Sequence, residues 1–311
     1  MYKIDSAAVQ SRPENQEYGK NILVRSRYFR HAQKASGAVG EGATISTSSI
    51  SEKGRVESVE LGSQLERPAL DGYKIAWSGN PRTLETGKAV AEGYLGDEKR
   101  KEFNANEKKL LGNYTEDYAK WTEIYIAKWE KNKTDLMNSR GIDPLKYKEL
   151  TPDEQMEIAE AAEEPVISEW LENSDGELAQ AFSPEQTAAQ VAVQVRRDIR
   201  MPEKLKSGSE IDLFRITHKT ITEPLLMKIL VLENGQKPDK LSDIGGSLSL
   251  NDGFEFESST DEKGKPKVKF IMYRTDRLGE QPVYNKHEYA VDLAELNRLA
   301  DLGINLDKPK A

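Results

Sequence analysis

"KNILVRSRYFRHAQKASG", Lys20 to Gly37, changes character halfway along. Lys20–Phe29 is short and rich in apolar and aromatic residues, which reads as a β-strand. From Lys34 to Ser49 the chain becomes "KASGAVGEGATISTSS", a Gly/Ser/Thr-rich run that predicts a long loop. Between them stand Arg30 and His31, with Arg25 and Arg27 just upstream, in a chain of formal net charge −8. Cations gathered at a strand end in an acidic protein ask for an explanation.

Outward from that strand, segments alternate. "SEKGRVESVELGSQLE" begins at a plausible N-cap, Ser51, and places Val56, Val59 and Leu65 near one helical face. "GYKIAWSG" reads as a second strand. "NPRTLETGKAVAEGYLG" opens a helix with Pro81 in its first turn and closes it in glycines. Strand character returns in "EIDLFRIT" (Glu210–Thr217), followed by a helix after Pro224 that Gly235 would close. "GFEFESS" and "KVKFIMYR" flank "TDEKGKP" as a hairpin, and "EYAVDLAELNRLADLG" reads as an amphipathic final helix. This alternation predicts a three-layer α/β sandwich with a mostly parallel central sheet and helices on both faces.

One region breaks the pattern. Tyr114, Tyr118, Trp121, Tyr125 and Trp129 make one stripe of a long helix. "TPDEQ" then supplies a capping box, Thr151 with Glu154, and Ser183–Pro184 repeats the device with Gln186. Residues 113–205 therefore read as a helical cap inserted between two core segments, 1–112 and 206–311. The aromatic stripe is expected to be cap core, and the carboxylates of Asp153–Glu172 a solvated face.

Composition narrows the function. The 311 residues include no cysteine, which removes disulfides, thiolate chemistry and cysteine zinc sites. No apolar run approaches the ~20 residues of a membrane span. The first twenty residues lack the apolar segment of a secretory signal, so a soluble, cytoplasmic protein is expected. The acidic balance argues against nucleic-acid binding. It leaves room for a small anionic substrate, because a local cationic pocket dominates the field inside a cleft. Only His31, His218 and His287 are available for histidine chemistry.

Three stretches each follow a predicted strand: "FRHAQ", "SGNPRTLET" and "THKT". Ligands of open α/β sheets bind at the strand C-termini, where residues distant in sequence converge. Arg30, His31, Arg82 and His218 would then line one pocket for a tetrahedral dianion, the arginine forks matching its oxygens. A histidine at a strand end is ordinarily structural, and His287, in "VYNKHEY", is expected on the surface. Arg25 and Arg27 lie within the strand and are expected to be salt-bridged.

These stretches resemble the histidine phosphatase superfamily, whose fold is shared with cofactor-dependent phosphoglycerate mutase. "RHAQ" is similar to its RHG motif, "SISEKGRVESVELGSQL" to its "LTxxGxxQAxxLG" segment, "SGNPRTLETGKAV" to "SxxxRxxxT", and "ITHKTITEPLL" to its second-histidine strand end. The resemblance implies hydrolysis of a small phosphomonoester without metal or cofactor. It implies a phosphohistidine on His31, with Arg30, Arg82 and His218 holding the phosphoryl oxygens. "NANEKKLLGNY" resembles the "NExxxG" stretch of some branches and implies Glu107 as general acid and later base, with Glu102 as competitor. The chain departs from the pattern at Ala32, where the family has glycine, and at Lys219, where other branches place aspartate. Gln33, Lys34 and Ser36 are further phosphate neighbours without an assigned role. Two alternatives stand beside hydrolysis: a mutase-type phosphotransferase, and a degenerate member that binds a phospho-ligand or a protein.

Overall fold

The computed structural model describes residues 17–35, 49–66, 71–96, 105–112, 116–276 and 282–306. Ser36, Glu102, Tyr114 and most of the loop expected after Lys34 lie outside them. Strand β1 (Ile22–Arg30) is followed by helix α1 (Glu52–Gln64), β2 (Gly72–Trp77) and α2 (Pro81–Leu95). A two-residue strand β3 (Asn106–Glu107) precedes four helices: α3 (Glu116–Ser139), α4 (Pro152–Glu172), α5 (Glu177–Ala181) and α6 (Pro184–Ile199). Then come β4 (Glu210–Thr217), α7 (Glu223–Ile229), β5 (Leu230–Val231), β6 (Gly253–Thr260), β7 (Pro266–Asp276), β8 (Val283–Val291) and α8 (Leu293–Leu306).

The strands form one eight-stranded sheet in the order β3-β2-β4-β1-β6-β7-β8-β5. It is mixed, which corrects the expectation of a mostly parallel sheet. β3, β2, β4 and β1 pair in parallel, whereas β1–β6, β6–β7, β7–β8 and β8–β5 are antiparallel. Parallel neighbours need a long crossover, and here such crossovers join only β1, β2, β3 and β4. The short turn between β6 and β7 can make only an antiparallel pair.

Helices do cover both faces. Leu61 of α1, its C-cap Leu65, and Val90 and Tyr94 of α2 share a core with Phe29, Ile75, Phe214 and Ile216. On the other face Val191 and Val195 of α6, Leu225 of α7 and Leu296 and Leu299 of α8 pack with Tyr28, Phe254 and Phe256. Helices α1 and α2 approach closely through glycine: a Cβ on Gly93 would lie 1.8 Å from the Val59 carbonyl oxygen. The inward face of α1 differs from the expected one, since Val56 is exposed while Gly54, Ser58 and Leu61 are buried.

The inserted segment divides. Trp121 of α3, Trp170 of α4 and Leu178 of α5 form their own cluster with Phe182, with Tyr118, Tyr125 and Trp129 packed on it. The aromatic stripe is cap core along its described length. Helix α6, which falls inside 113–205, belongs to the sheet's core instead, where Val191, Ala192 and Val195 are fully buried. Two boundaries also move. Helix α7 ends at Ile229, because Leu230 and Val231 pair with β8. The "EYAV" expected in the last helix is the end of β8, and Asp292 then caps α8 by accepting from the Glu295 amide at 2.9 Å. His287 is exposed on β8.

Arg25 and Arg27 are structural, as expected. Both are buried in β1; Arg27 Nη1 meets Asp212 and Nε meets Glu255, each at 2.6 Å. Arg25 Nε lies 3.4 Å from Glu257. Tyr94 and Tyr273 donate to Asp212 and Glu255, completing a buried network under the sheet. No helix among the described residues is long and apolar enough to cross a membrane.

Candidate active site

Because β2, β4 and β1 are parallel neighbours, their C-termini share one edge of the sheet. Arg30 pairs with Thr217 and Trp77 with Ile216, so the residues just beyond each strand must meet. The His31 amide donates to the Thr217 carbonyl at 3.0 Å, and the Arg30 amide to the Asp252 carbonyl at 2.9 Å. His31 and His218 end with ring centroids 5.0 Å apart, edge to face at 66°.

The hydrogen bonds fix both tautomers. Nδ1 of His31 faces the Ala32 carbonyl at 2.7 Å, which only accepts, so Nδ1 carries the proton and Nε2 keeps its lone pair. Arg82 Nη2 donates to Nδ1 of His218 at 3.3 Å, leaving Nε2–H to donate to Ser78 Oγ at 2.7 Å. Ser78 Oγ lies 3.2 Å from Thr83 Oγ1. Asn80 caps α2 by accepting from the Arg82 amide, so the helix start sets the root of that arginine. Thr86 Oγ1 receives the Ala32 amide at 3.0 Å.

Both rings are held neutral. Desolvation pulls His31 well below the usual histidine range, and His218, Arg82 and Arg30 pull the same way. Desolvation, then Arg82 and Arg30, bring His218 down to about 3.

Ala32 does not demand a glycine-like backbone. Among the described residues the non-glycine positions with positive φ are Asn21, Thr220 and Asn251. Its methyl is buried beside Gly54 of α1, whose own Cβ would lie 2.7 Å from the Gln33 carbonyl oxygen. Gln33 accepts from Ser51 at the start of α1.

Glu107 sits on the flank of the same edge. It pairs with Trp77, and its carboxylate lies over Gly79, where a Cβ would come within 2.8 Å of Oε1. Gly79 has φ +90°, a conformation that glycine alone adopts without strain.

The acidic helix α4 is only in part the solvated face expected of it: Asp153, Glu154 and Glu157 are exposed, but Glu160, Glu163 and Glu164 turn inward. Arg30 Nη1 donates to the Leu248 carbonyl at 2.8 Å and to Glu160 Oε1 at 3.0 Å. Lys219 Nζ donates to Glu163 Oε2 at 2.8 Å, and Tyr125 of α3 donates to the other oxygen of Glu163. Burial pushes Glu163 up, but Lys219 and Arg30 more than offset this and hold it below the ordinary carboxylate range. Glu164 accepts from the Ser247 amide at 2.9 Å. The buried Glu223 receives the Leu248 amide at 3.2 Å and so fixes the loop on which Arg30 leans.

Arg30, His31, Arg82 and His218 thus lie at one sheet edge, and Glu107 is on the neighbouring strand β3, over Gly79. Sequence reasoning missed Ser78 and Thr86, although both are fixed letters of "SxxxRxxxT". It also missed Glu160 and Glu163, for which no local signal exists. Among the described residues no group of three or more histidine or carboxylate side chains is placed to hold a metal ion.

No protein-family model matches the sequence, and no curated protein matches it either. Solved structures do resemble the fold. A phytase from Hafnia alvei matches at 11% identity and a TM-score of 0.49, over 94% of this chain and 98% of its own. A phosphoglycerate mutase from Bacillus anthracis matches at 15% identity and 0.39, over 80% and 93%. A putative α-ribazole-5′-P phosphatase from Escherichia coli matches at 12% identity and 0.36, over 79% and 94%.

Proposed function

We propose that this protein belongs to the histidine phosphatase superfamily and hydrolyses a small phosphomonoester through a phosphohistidine on His31. The observation that carries the reading is the state of the His31 ring. Nδ1–H is committed to the Ala32 carbonyl, the ring is neutral, and Nε2 is left as a lone pair beside Arg30, Arg82 and His218. The four ordered motifs support the same conclusion.

In this mechanism Nε2 of His31 attacks phosphorus in line with the ester oxygen, forming the N–P bond as the P–O bond breaks. Arg30, Arg82 and the Nε2–H edge of His218 stabilise charge on the equatorial oxygens. The His218 Nε2–H, which stays on the ring, would be divided between Ser78 Oγ and a phosphoryl oxygen as that group arrives. Glu107 protonates the leaving alkoxide, then as carboxylate takes a proton from water. That water attacks phosphorus, releases inorganic phosphate and restores His31. Transfer to a second alcohol in place of water would make the protein a mutase; no observation here favours that acceptor.

The test is turnover of a radiolabelled aryl phosphate by the wild type and by His31→Ala, with a denaturing alkaline quench to trap the acid-labile, base-stable phosphohistidine. Loss of turnover and of the trapped label in the variant is expected. Equal turnover in both proteins would overturn the assignment.

A further inference from the structure

The phosphatase mechanism leaves Glu160 and Glu163 of α4 without a purpose. Glu160 and Glu163 are one helical turn apart, so they face the same way, and both end on cations of the phosphate pocket. Their surroundings are substantially desolvated: the side chains of Arg30 and Lys219 are 11% and 7% exposed. Surface ion pairs at helix spacing would not reach across an insertion to a pocket at a sheet edge. Arg30 also retains capacity for a ligand, since its buried Nε has no hydrogen-bond partner among the described residues.

Charge gives these contacts a meaning. The pocket gathers Arg30, Arg82 and Lys219, with Lys34 close enough to feel both Arg82 and Glu163. With neutral histidines, four cations alone would attract an ester carrying two anionic groups. Glu160 and Glu163 lower that excess towards the complement of one phosphate dianion. Once a phosphoryl group engages Arg30, both carboxylates remain at the rim and repel any further negative charge.

We propose that Glu160 and Glu163, brought to the pocket by the inserted helix, are specificity determinants that exclude substrates bearing a second anionic group near the scissile phosphate. The substrate class is then phosphomonoesters of neutral or cationic alcohols. This rests on the phosphatase reading for its chemistry, but the charge filter acts on binding and is measurable without turnover.

The experiment compares kcat/KM for phenyl phosphate and for phosphoglycolate, which adds a carboxylate, in wild type, Glu160→Gln and Glu163→Gln. Removing one charge at this distance is expected to raise the phosphoglycolate-to-phenyl ratio about tenfold in each variant. Lys219→Met, which strips Glu163 of its counter-ion, is expected to move the ratio the opposite way. A merely structural role would alter both substrates alike and leave the ratio in place. Calorimetric affinities for pyrophosphate and inorganic phosphate give the same ratio independently of catalysis. A ratio unchanged in both glutamine variants, by kinetics or by binding, overturns the proposal. Absence of His31-dependent turnover with an altered binding ratio would overturn the phosphatase reading and support the filter.

Discussion

Arg82 donates to Nδ1 of His218 across 3.3 Å, a contact that exists only while that nitrogen carries no proton. Desolvation adds to the effect of the guanidinium and brings the ring down to about 3, from an ordinary value of 6.5. An unfolded chain has no such restraint and takes up the proton near 6.5. Between these limits the unfolded state binds more protons, so stability is full above pH 6.5 and falls as pH drops towards 3. His31 acts in the same direction. Each ring contributes a slope of up to about 1.4 kcal/mol per pH unit. Urea denaturation across this range is expected to show that loss, with a shallower slope in His218→Asn. An identical slope in the variant would contradict the neutral pair.

Ser78→Ala removes the acceptor of His218 Nε2–H. A desolvated donor left unpaired costs ~1–3 kcal/mol, which thermal melts should register. The ring also loses the contact that fixes its orientation in the pocket, and kcat/KM is expected to fall about tenfold, in the range typical of positioning and electrostatic groups. Ser78→Thr keeps the hydroxyl and is expected to recover part of both.

Asp212→Asn tests the network below the site. Asp212 is fully buried and receives Arg27 at 2.6 Å and the Tyr94 hydroxyl at 2.6 Å. Removing one charge of a buried pair leaves the other uncompensated and is expected to destabilise by about 3 kcal/mol, Glu255 limiting the damage. The variant should retain turnover at temperatures where it is still folded, because Arg27 takes no part in the pocket.

The parallel half of the fold was readable because each strand there is punctuated. Arg30–His31, Ser78–Gly79 and Thr217–His218 fall where apolar runs stop, and the motif letters sit on those stops. The antiparallel half was harder. β8 carries exposed Asn285, Lys286, His287 and Glu288, so its alternation is diluted and its pairing with β7 is a tertiary fact. The same holds for α6, whose Val191 and Val195 read as any amphipathic helix until the sheet is known. Glu160 and Glu163 were invisible for a stronger reason. Their partners lie 130 and 56 positions away, and a carboxylate's neighbours cannot be inferred from its own helix.

Glu107 is the least constrained member of the proposed machinery, and leaving-group chemistry isolates it. A p-nitrophenolate departs without a proton, whereas an alkoxide does not. Glu107→Gln should therefore depress hydrolysis of a simple alkyl phosphate by ~10²-fold or more, the usual contribution of a general acid. The p-nitrophenyl ester should be affected far less in its phosphorylation step. Gly79→Ala approaches the same group from the backbone: its Cβ would stand 2.8 Å from Glu107 Oε1, at φ +90°. It is expected to show the same selective loss on alkyl esters, together with some loss of stability from strain. If both variants slow the two esters equally, proton donation belongs to another residue, and the flank of the pocket beside Gly79 has a purely structural part.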